Sequence, residues 1–185
     1  MSEDGPVVRC GTRAEWRAWL ADHFRTEPRA WFATPLKARG MSYNDAVEEA
    51  LCFGWIDSTA RTVGAERWQR FTPRRPGSPY SQPNRERLAR LAELGLIHES
   101  VRAEAARVLA EPFVWPADVL DIIRTDDLAW AHYETFSEPY RRIRVAFIAA
   151  ARNRPDEFAR RLDHFLAATR AGKLIRGYGG IDAYY

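Results

Sequence analysis

Cysteine is scarce in this 185-residue sequence, and long apolar runs are missing from it. Cys10 and Cys52 leave room for one long-range disulfide, but two cysteines exclude a disulfide framework or a zinc cluster. The first ten residues, MSEDGPVVRC, are acidic and lack the apolar centre of a signal peptide. The sequence has no run of about 18 apolar residues, so no membrane span is predicted. We therefore expect a cytoplasmic protein with reduced thiols.

The short motifs of several common enzyme classes are also missing. The sequence has no G-x-G-x-x-G, no P-loop and no G-x-S-x-G. Its four histidines are scattered singly, without a partner at metal-ligand spacing. We predict neither a metal site nor a cofactor.

Apolar and aromatic residues, in contrast, are plentiful. Hydrophobic residues make up 46% of the chain, which includes seven Trp, seven Tyr and nine Phe. A disordered chain would lack this content, so we expect a packed core. The length suits one domain, or one domain with a helical extension.

Charge is distributed in blocks, although the net charge is only +3. Residues 93–138 hold ten acids and three bases, residues 141–176 hold ten bases and three acids, and residues 62–90 hold seven bases and two acids. Neighbouring acidic and basic helices that pair or face solvent explain such blocks. A basic face that attracts anions is the alternative.

Caps and periodicity predict helices and strands in the N-terminal half. Thr12 and Glu15 form a capping box before an amphipathic helix that ends ahead of Pro28. Residues 30–36 are predicted to form a strand that lies at an edge or finishes at Pro35. Ser42 caps a second helix that ends at Gly54. Residues 55–61 and 66–72 are typical of two strands joined by a turn.

A proline-rich loop and a series of helices make up the remainder. Four prolines between residues 73 and 83 predict a stiff extended loop. Asn84 is predicted to cap the first of several helices, and Thr125 to cap a later one. The predicted fold is α+β: a small antiparallel sheet with N-terminal helices, followed by a mostly helical C-terminal half. We predict a tail over 1–11, an α+β core over 12–98, a helical subdomain over 99–172 and a tail over 173–185.

Two elements carry a family resemblance. The first is E-A-L-C-F-G-W-I-D-S at residues 49–58. The second, at residues 71–84, is F-x-P-R-R-x-x-S-x-[WY]-S-x-x-N. Together they resemble the YdeI/OmpD-associated family of small bacterial proteins, and the resemblance runs from about residue 12 to about residue 172. Tyr80 departs from the family pattern, which more often has Trp at this position.

The resemblance implies a role more readily than a reaction. It associates the chain with bacteriocin protection or an outer-membrane porin, and so with stress or antimicrobial tolerance. It implies no reaction, cofactor or catalytic residue. It also points to an α+β fold of the YjbR/CyaY-like kind.

Residues 55–87 form the candidate site. Alternation along the strands predicts one face that carries Trp55, Asp57 and Arg61 on the first strand and Trp68 and Arg70 on the next. The proline-rich loop above this face would present planar guanidinium groups to a carboxylate or phosphate. We predict a site for a small anion or nucleotide made by Trp55, Asp57, Arg70, Arg74, Arg75, Ser78, Tyr80 and Asn84. The alternative is a purely structural role, in which Asp57 pairs with an arginine, Asn84 caps a helix and the prolines stiffen a loop.

Other functions stay open at this point. A protein partner in place of a small ligand fits the same segment. Binding of nucleic acid by the basic C-terminal helices is a second alternative. An enzyme that uses Asp57 or Cys52 is a third, although a cysteine at the C-terminal end of a helix is more often buried and structural. The oligomeric state is not predicted.

Overall fold

The computed structural model describes residues 5–36 and 40–177, and within these residues the chain forms four strands and eight helices. The strands are β1 (Val7–Val8), β2 (Ala30–Pro35), β3 (Trp55–Val63) and β4 (Glu66–Pro73). Four helices lie before residue 111: α1 (Arg13–His23), α2 (Tyr43–Cys52), α3 (Gln82–Glu93) and α4 (Glu99–Ala110). The others are α5 (Ala117–Arg124), α6 (Asp127–Thr135), α7 (Glu138–Ala149) and α8 (Pro155–Arg170). This architecture confirms the predicted α+β class.

The sheet has the strand order β1-β2-β4-β3. β3 and β4 form the predicted antiparallel hairpin, and β2 pairs antiparallel with β4. β1 adds a parallel pairing to β2, with Val7 opposite Trp31 and Val8 opposite Phe32. The sheet is therefore mixed and not purely antiparallel. β1 also lies within the segment that was predicted to be a tail.

Local sequence signals account for most helix ends. The capping boxes of Thr12 with Glu15 and of Ser42 with Asp45 are both formed. Gly54 follows α2 with a φ of 73°, a left-handed conformation that favours glycine at the end of a helix. Two predicted caps are wrong. α3 begins at Gln82, so Asn84 lies in its first turn, and α6 is capped by Asp126 instead of Thr125.

The chain divides into two compact units. Of the described residues, the first contains 5–36, 40–80 and 87–110, and the second contains 81–86 and 111–177. The core of the first unit lies on one side of the sheet, where Phe32 and Phe71 contact the buried ring of Trp16 from α1. We call this side the core face and the opposite side the outer face. The second unit has its own core, which α5–α8 build around Tyr133, Tyr140 and Phe165.

A one-residue bulge in β3 decides which side chains share a face. Asp57 lies opposite Phe71, whereas Ala60 lies opposite Gln69, so three steps along β3 match two steps along β4. Residues that lie opposite each other share a face. Asp57 therefore lies on the core face with Phe71, and Arg61, opposite Trp68, lies on the outer face.

α1 and α2 are joined by a buried carboxylate. Glu49 is 4% exposed, and it accepts hydrogen bonds from Arg13 Nε at 2.9 Å and from Arg17 Nη1 at 2.8 Å. Arg17 also donates to the carbonyl oxygen of Leu96 at 2.7 Å. A buried acid with two guanidinium partners is held firmly, and removal of its charge leaves those partners incompletely paired.

We predict that Glu49→Gln lowers the free energy of unfolding by about 1–3 kcal/mol, because the buried charge pair is broken while the side-chain shape is kept. The matched control is Glu104→Gln. Glu104 pairs with Arg107 one turn along the same helix, with side chains 41% and 55% exposed, respectively. This loss should stay below about 0.5 kcal/mol. Urea unfolding measures both, and equal losses would contradict the assignment of Glu49.

Candidate functional site

Tryptophan and arginine side chains gather on the outer face of the sheet. The register places Trp31 opposite Arg70, and Trp68 opposite both Ala33 and Arg61. Arg9 follows β1 at this face and contacts Trp68. We call this set, Arg9, Trp31, Arg61, Trp68 and Arg70, the tryptophan–arginine face.

The guanidinium groups lie over the indole rings. Cζ of Arg61 is 4.0 Å from the ring centroid of Trp31 and 5.2 Å from that of Trp68. The two rings are 6.1 Å apart, and Arg70 lies 6.0 Å from Trp31. Each cation–π contact of this kind contributes about 0.5–1 kcal/mol at an exposed site and more when water is excluded. The contacts hold the arginines close to the sheet.

Residues of the bulge fix Arg70. Its Nε donates to the hydroxyl of Ser58 at 3.0 Å, and its Nη2 lies 3.4 Å from the hydroxyl of Thr59. On the core face, Nε2 of Gln69 donates to the carbonyl oxygen of Thr59 at 3.3 Å. The bulge is therefore held from both sides of the sheet, and it aligns Arg70 beside Trp31.

Glu66 is the carboxylate that balances part of this charge. It accepts Arg9 Nε at 2.8 Å and Arg9 Nη2 at 2.9 Å, and it also accepts the indole N–H of Trp68 at 3.0 Å. The hydrogen bond from Arg9, followed by that from Trp68, lowers the pKa of Glu66 to about 2. Arg9, Arg61 and Arg70 lie on this face, and Glu66 pairs with Arg9.

One buried indole at this face lacks a hydrogen-bond acceptor. Trp31 is 3% exposed, and its Nε1 has no partner among residues 5–36 and 40–177. The buried indoles of Trp16 and Trp55 do have acceptors, namely the carbonyl oxygens of Ala46 and Phe24, each at 3.1 Å. An unsatisfied buried donor costs about 1–3 kcal/mol, and such groups often mark functional sites.

A cavity opens at the end of this face. It has a volume of about 600 Å³, and Arg9 and Glu66 line it together with Ala33 on β2 and Met41 and Ser42 at the start of α2. Sites for small molecules commonly have volumes of about 300–1,000 Å³. The cavity and the tryptophan–arginine face share Arg9, whereas Trp31, Arg61, Trp68 and Arg70 do not line the cavity.

The bulge separates Trp55 and Asp57 from the other predicted site residues on the sheet. Trp55 is buried in the core, 1% exposed. Asp57 accepts a hydrogen bond from the hydroxyl of Tyr43 at 2.5 Å. Burial, and then this bond to Asp57, raise the pKa of Tyr43 well above its ordinary value. Of the residues predicted to share one strand face, Arg61, Trp68 and Arg70 do so, and Trp55 and Asp57 lie on the other side.

The proline-rich loop uses Arg74 for its own structure. Residues 75–78 form a turn with Pro76 second and Gly77 third, the latter at a φ of 73°, and the N–H of Ser78 donates to the carbonyl oxygen of Arg75 at 3.1 Å. Nη2 of Arg74 donates to the carbonyl oxygens of Ser78 at 2.8 Å and Pro79 at 3.1 Å. Its guanidinium group stacks on Tyr80, with Cζ 3.5 Å from the ring centroid.

The last two predicted ligand residues have different surroundings. Arg75 is exposed on the loop. Asn84 is 8% exposed in the first turn of α3 and belongs to the second unit. Of the predicted ligand residues, Arg70 is thus the one that the structure places on the tryptophan–arginine face. Arg9 and Trp31 were not among the predicted site residues, because β1 has only two residues and the pairing of β2 with β4 has no local sequence signal.

Cys52 lies at the end of α2 and is fully buried, and both cysteines are free. Burial raises the pKa of its thiol to about 11, although a hydrogen bond with Arg17 acts in the opposite direction. Because the thiolate is the nucleophile, this thiol is nearly inert at neutral pH.

Basic side chains of the C-terminal helices pair with acids of the second unit. Arg142 Nε contacts Glu86 at 2.7 Å, and Arg152 Nε contacts Asp118 at 2.7 Å. Arg160 and Arg161 both contact Glu157 at 2.6 Å. Acidic and basic blocks of the sequence therefore meet in part as ion pairs. Across residues 5–36 and 40–177, no helix is long and apolar enough to cross a membrane, and no cluster of His, Cys, Asp and Glu has the geometry of a metal site.

Comparison with known proteins places the chain in a family. The model of the family "Domain of unknown function (DUF8412)" matches residues 8–104, and the chain belongs to this family. The match contains every residue of the tryptophan–arginine face. No curated protein and no solved structure matches the chain. The similarity to the YdeI/OmpD-associated family stays a prediction.

We predict that Glu66→Gln destabilises the protein at pH 6 and that the difference from wild type shrinks as the pH falls towards 2. The pKa of this carboxylate is about 2 in the folded protein and about 4.3 for an unfolded Glu. Its stabilising effect is thus complete above about pH 4.3 and is lost as pH falls through about 2. Thermal midpoints of both proteins across this range test the prediction. A difference that does not change with pH would contradict it.

We predict that Cys52 is not alkylated by iodoacetamide in the native protein at pH 7.5. The Cys10→Ser variant isolates this thiol, and labelling followed by mass spectrometry should become rapid only in denaturant, because burial protects the side chain. The Cys52→Ala variant, which retains the partly exposed Cys10, is the matched control. Rapid labelling of native Cys10→Ser would instead support a reactive cysteine.

Proposed function

We propose that this protein binds a small anionic ligand with a planar ring, and that the tryptophan–arginine face and its adjoining cavity form the site. One observation carries the proposal. Three guanidinium groups and two indoles meet on one face of the sheet, and Arg9 of this face pairs with Glu66 and lines a cavity of about 600 Å³.

The chemistry of these groups selects the ligand class. Guanidinium groups bind phosphate or carboxylate through paired hydrogen bonds. Trp31 is buried beneath Arg61, so the half-buried indole of Trp68 and the stacked guanidinium planes are the surfaces that accept a flat ring. A nucleoside monophosphate supplies both a ring and a phosphate, and its size suits the cavity. It is therefore the first ligand class to test.

Support for the alternatives is weaker. Cys52 is buried with a raised pKa, and Asp57 is hydrogen-bonded to Tyr43 on the core face. Neither arrangement favours an enzyme that uses these residues. The pairing of Arg142, Arg152 and Arg160 with acids reduces the charge that the C-terminal helices offer to nucleic acid. The resemblance to the YdeI/OmpD-associated family suggests a physiological setting for the binding protein in stress or antimicrobial tolerance.

The test is isothermal titration calorimetry with adenosine 5′-monophosphate, adenosine and ribose 5-phosphate. We predict that the monophosphate binds best and that Arg61→Ala weakens its binding about tenfold, or about 1.4 kcal/mol, because a charged contact is lost. Adenosine and ribose 5-phosphate should each bind more weakly, since each lacks half of the recognised chemistry.

Arg75→Ala is the matched control. It removes an exposed arginine from the same charged segment without touching the tryptophan–arginine face. Its affinity should stay within about twofold of wild type, because an exposed charge away from the site contributes little. Equal losses for Arg61→Ala and Arg75→Ala would show non-specific attraction. No heat at millimolar ligand would overturn the proposed ligand class.

A further inference from the structure

A second cavity lies within the second unit, outside the residues that the family model matches. It has a volume of about 220 Å³ and opens between α7, α8 and the segment that follows α8. Phe147, Ile148, Phe165 and Ile175 give it apolar walls. Such walls favour a ligand with an apolar body.

The polar part of the lining is cationic. Arg144, Arg160, Arg161 and Arg176 line the cavity together with His164. Among the described residues, Glu157 contacts two of these arginines, Arg160 and Arg161. The lining therefore places four guanidinium groups next to an apolar wall.

Two of the arginines are held in place by the fold. Arg161 donates to the carbonyl oxygen of Phe147 at 2.6 Å and stacks on the ring of the same residue, with Cζ 3.7 Å from its centroid. Arg144 is 3% exposed and donates to the carbonyl oxygen of Ile175. A cation that is shielded from water attracts an anion more strongly than an exposed one does. Arg160 and Arg176 are exposed at the rim.

We propose that this cavity binds a small carboxylate with one aromatic ring or a similar branched apolar group. An apolar cavity of about 150 Å³ holds benzene. The observed 220 Å³ thus accommodates one ring and one carboxylate, whereas a nucleotide needs more room. The carboxylate would lie towards the arginines and the ring against Phe147 and Phe165. This site is independent of the one on the sheet.

Benzoate is the probe, and benzyl alcohol is its uncharged counterpart of similar shape. Titration of the full-length protein, followed by ¹H–¹⁵N NMR, should show benzoate shifting the signals of residues 144–148 and 161–165. Benzyl alcohol should bind at least about tenfold more weakly, because it lacks the charge that the arginines attract. The double variant Arg160→Glu/Arg176→Glu should weaken benzoate binding at least about tenfold, since it reverses two exposed charges at the rim.

Two variants locate the effect. Arg154→Glu reverses a charge at an exposed residue just before α8 that does not line the cavity, and its affinity should stay within about twofold of wild type. Arg61→Ala, on the outer face of the sheet, should leave the benzoate-induced shifts of residues 144–148 and 161–165 unchanged, because this local readout is separate from any benzoate bound at the tryptophan–arginine face. The proposal is overturned if the wild-type protein shows no shifts at about 20 mM benzoate, because a dissociation constant well above this concentration is too weak for a specific site. Equal binding of benzyl alcohol, or an equal loss in Arg154→Glu, would also overturn it.

Discussion

The candidate site on the sheet depends on the bulge between Asp57 and Ala60. Strand side chains alternate between faces, so one extra residue moves every later side chain to the opposite face. Without the bulge, Arg61 would lie on the core face opposite Arg67, where like charges repel, and away from the two indoles. With it, Arg61 lies over Trp31 and Trp68. The interactions of Gln69 and Arg70 with Ser58 and Thr59 keep the extra residue in place.

Much of the fold follows from local sequence signals. The capping boxes at Thr12 and Ser42, the glycine at 54 and the spacing of Trp16 and Leu20 were sufficient to predict α1 and α2. β2 ends at Pro35, as the proline indicates. β1 was not predicted because two valines give no measurable alternation, and only the pairing with β2 makes them a strand. Such pairing is a tertiary effect that local propensity does not contain.

The candidate site was less predictable than the fold, for a related reason. The aromatic and arginine content of residues 55–75 drew attention to Arg61, Trp68 and Arg70, which the structure places on one face. The bulge that separates them from Trp55 and Asp57 has no simple signal in Ser58 or Thr59, because it depends on what the partner strand offers. Arg74 shows a second limit. The sequence shows that a guanidinium group is present. Only the fold shows that its Nη2 already donates to the carbonyl oxygens of Ser78 and Pro79.

Pre-organisation distinguishes the arginines of the proposed sites from the other arginines on the surface. A free arginine that binds an anion must give up side-chain freedom, at a cost of about 0.5–1.5 kcal/mol. Arg61 and Arg161 already lie on aromatic rings, and Arg70 is already hydrogen-bonded to Ser58. These side chains have therefore lost much of their conformational freedom on folding, before a ligand binds. Arg75 has no comparable ring contact in the described structure, so its side chain would lose its conformational freedom only on binding. Two arginines of equal charge in the same protein should therefore differ in affinity for the same anion. The difference arises because the packing of one side chain, and not of the other, already restricts its motion.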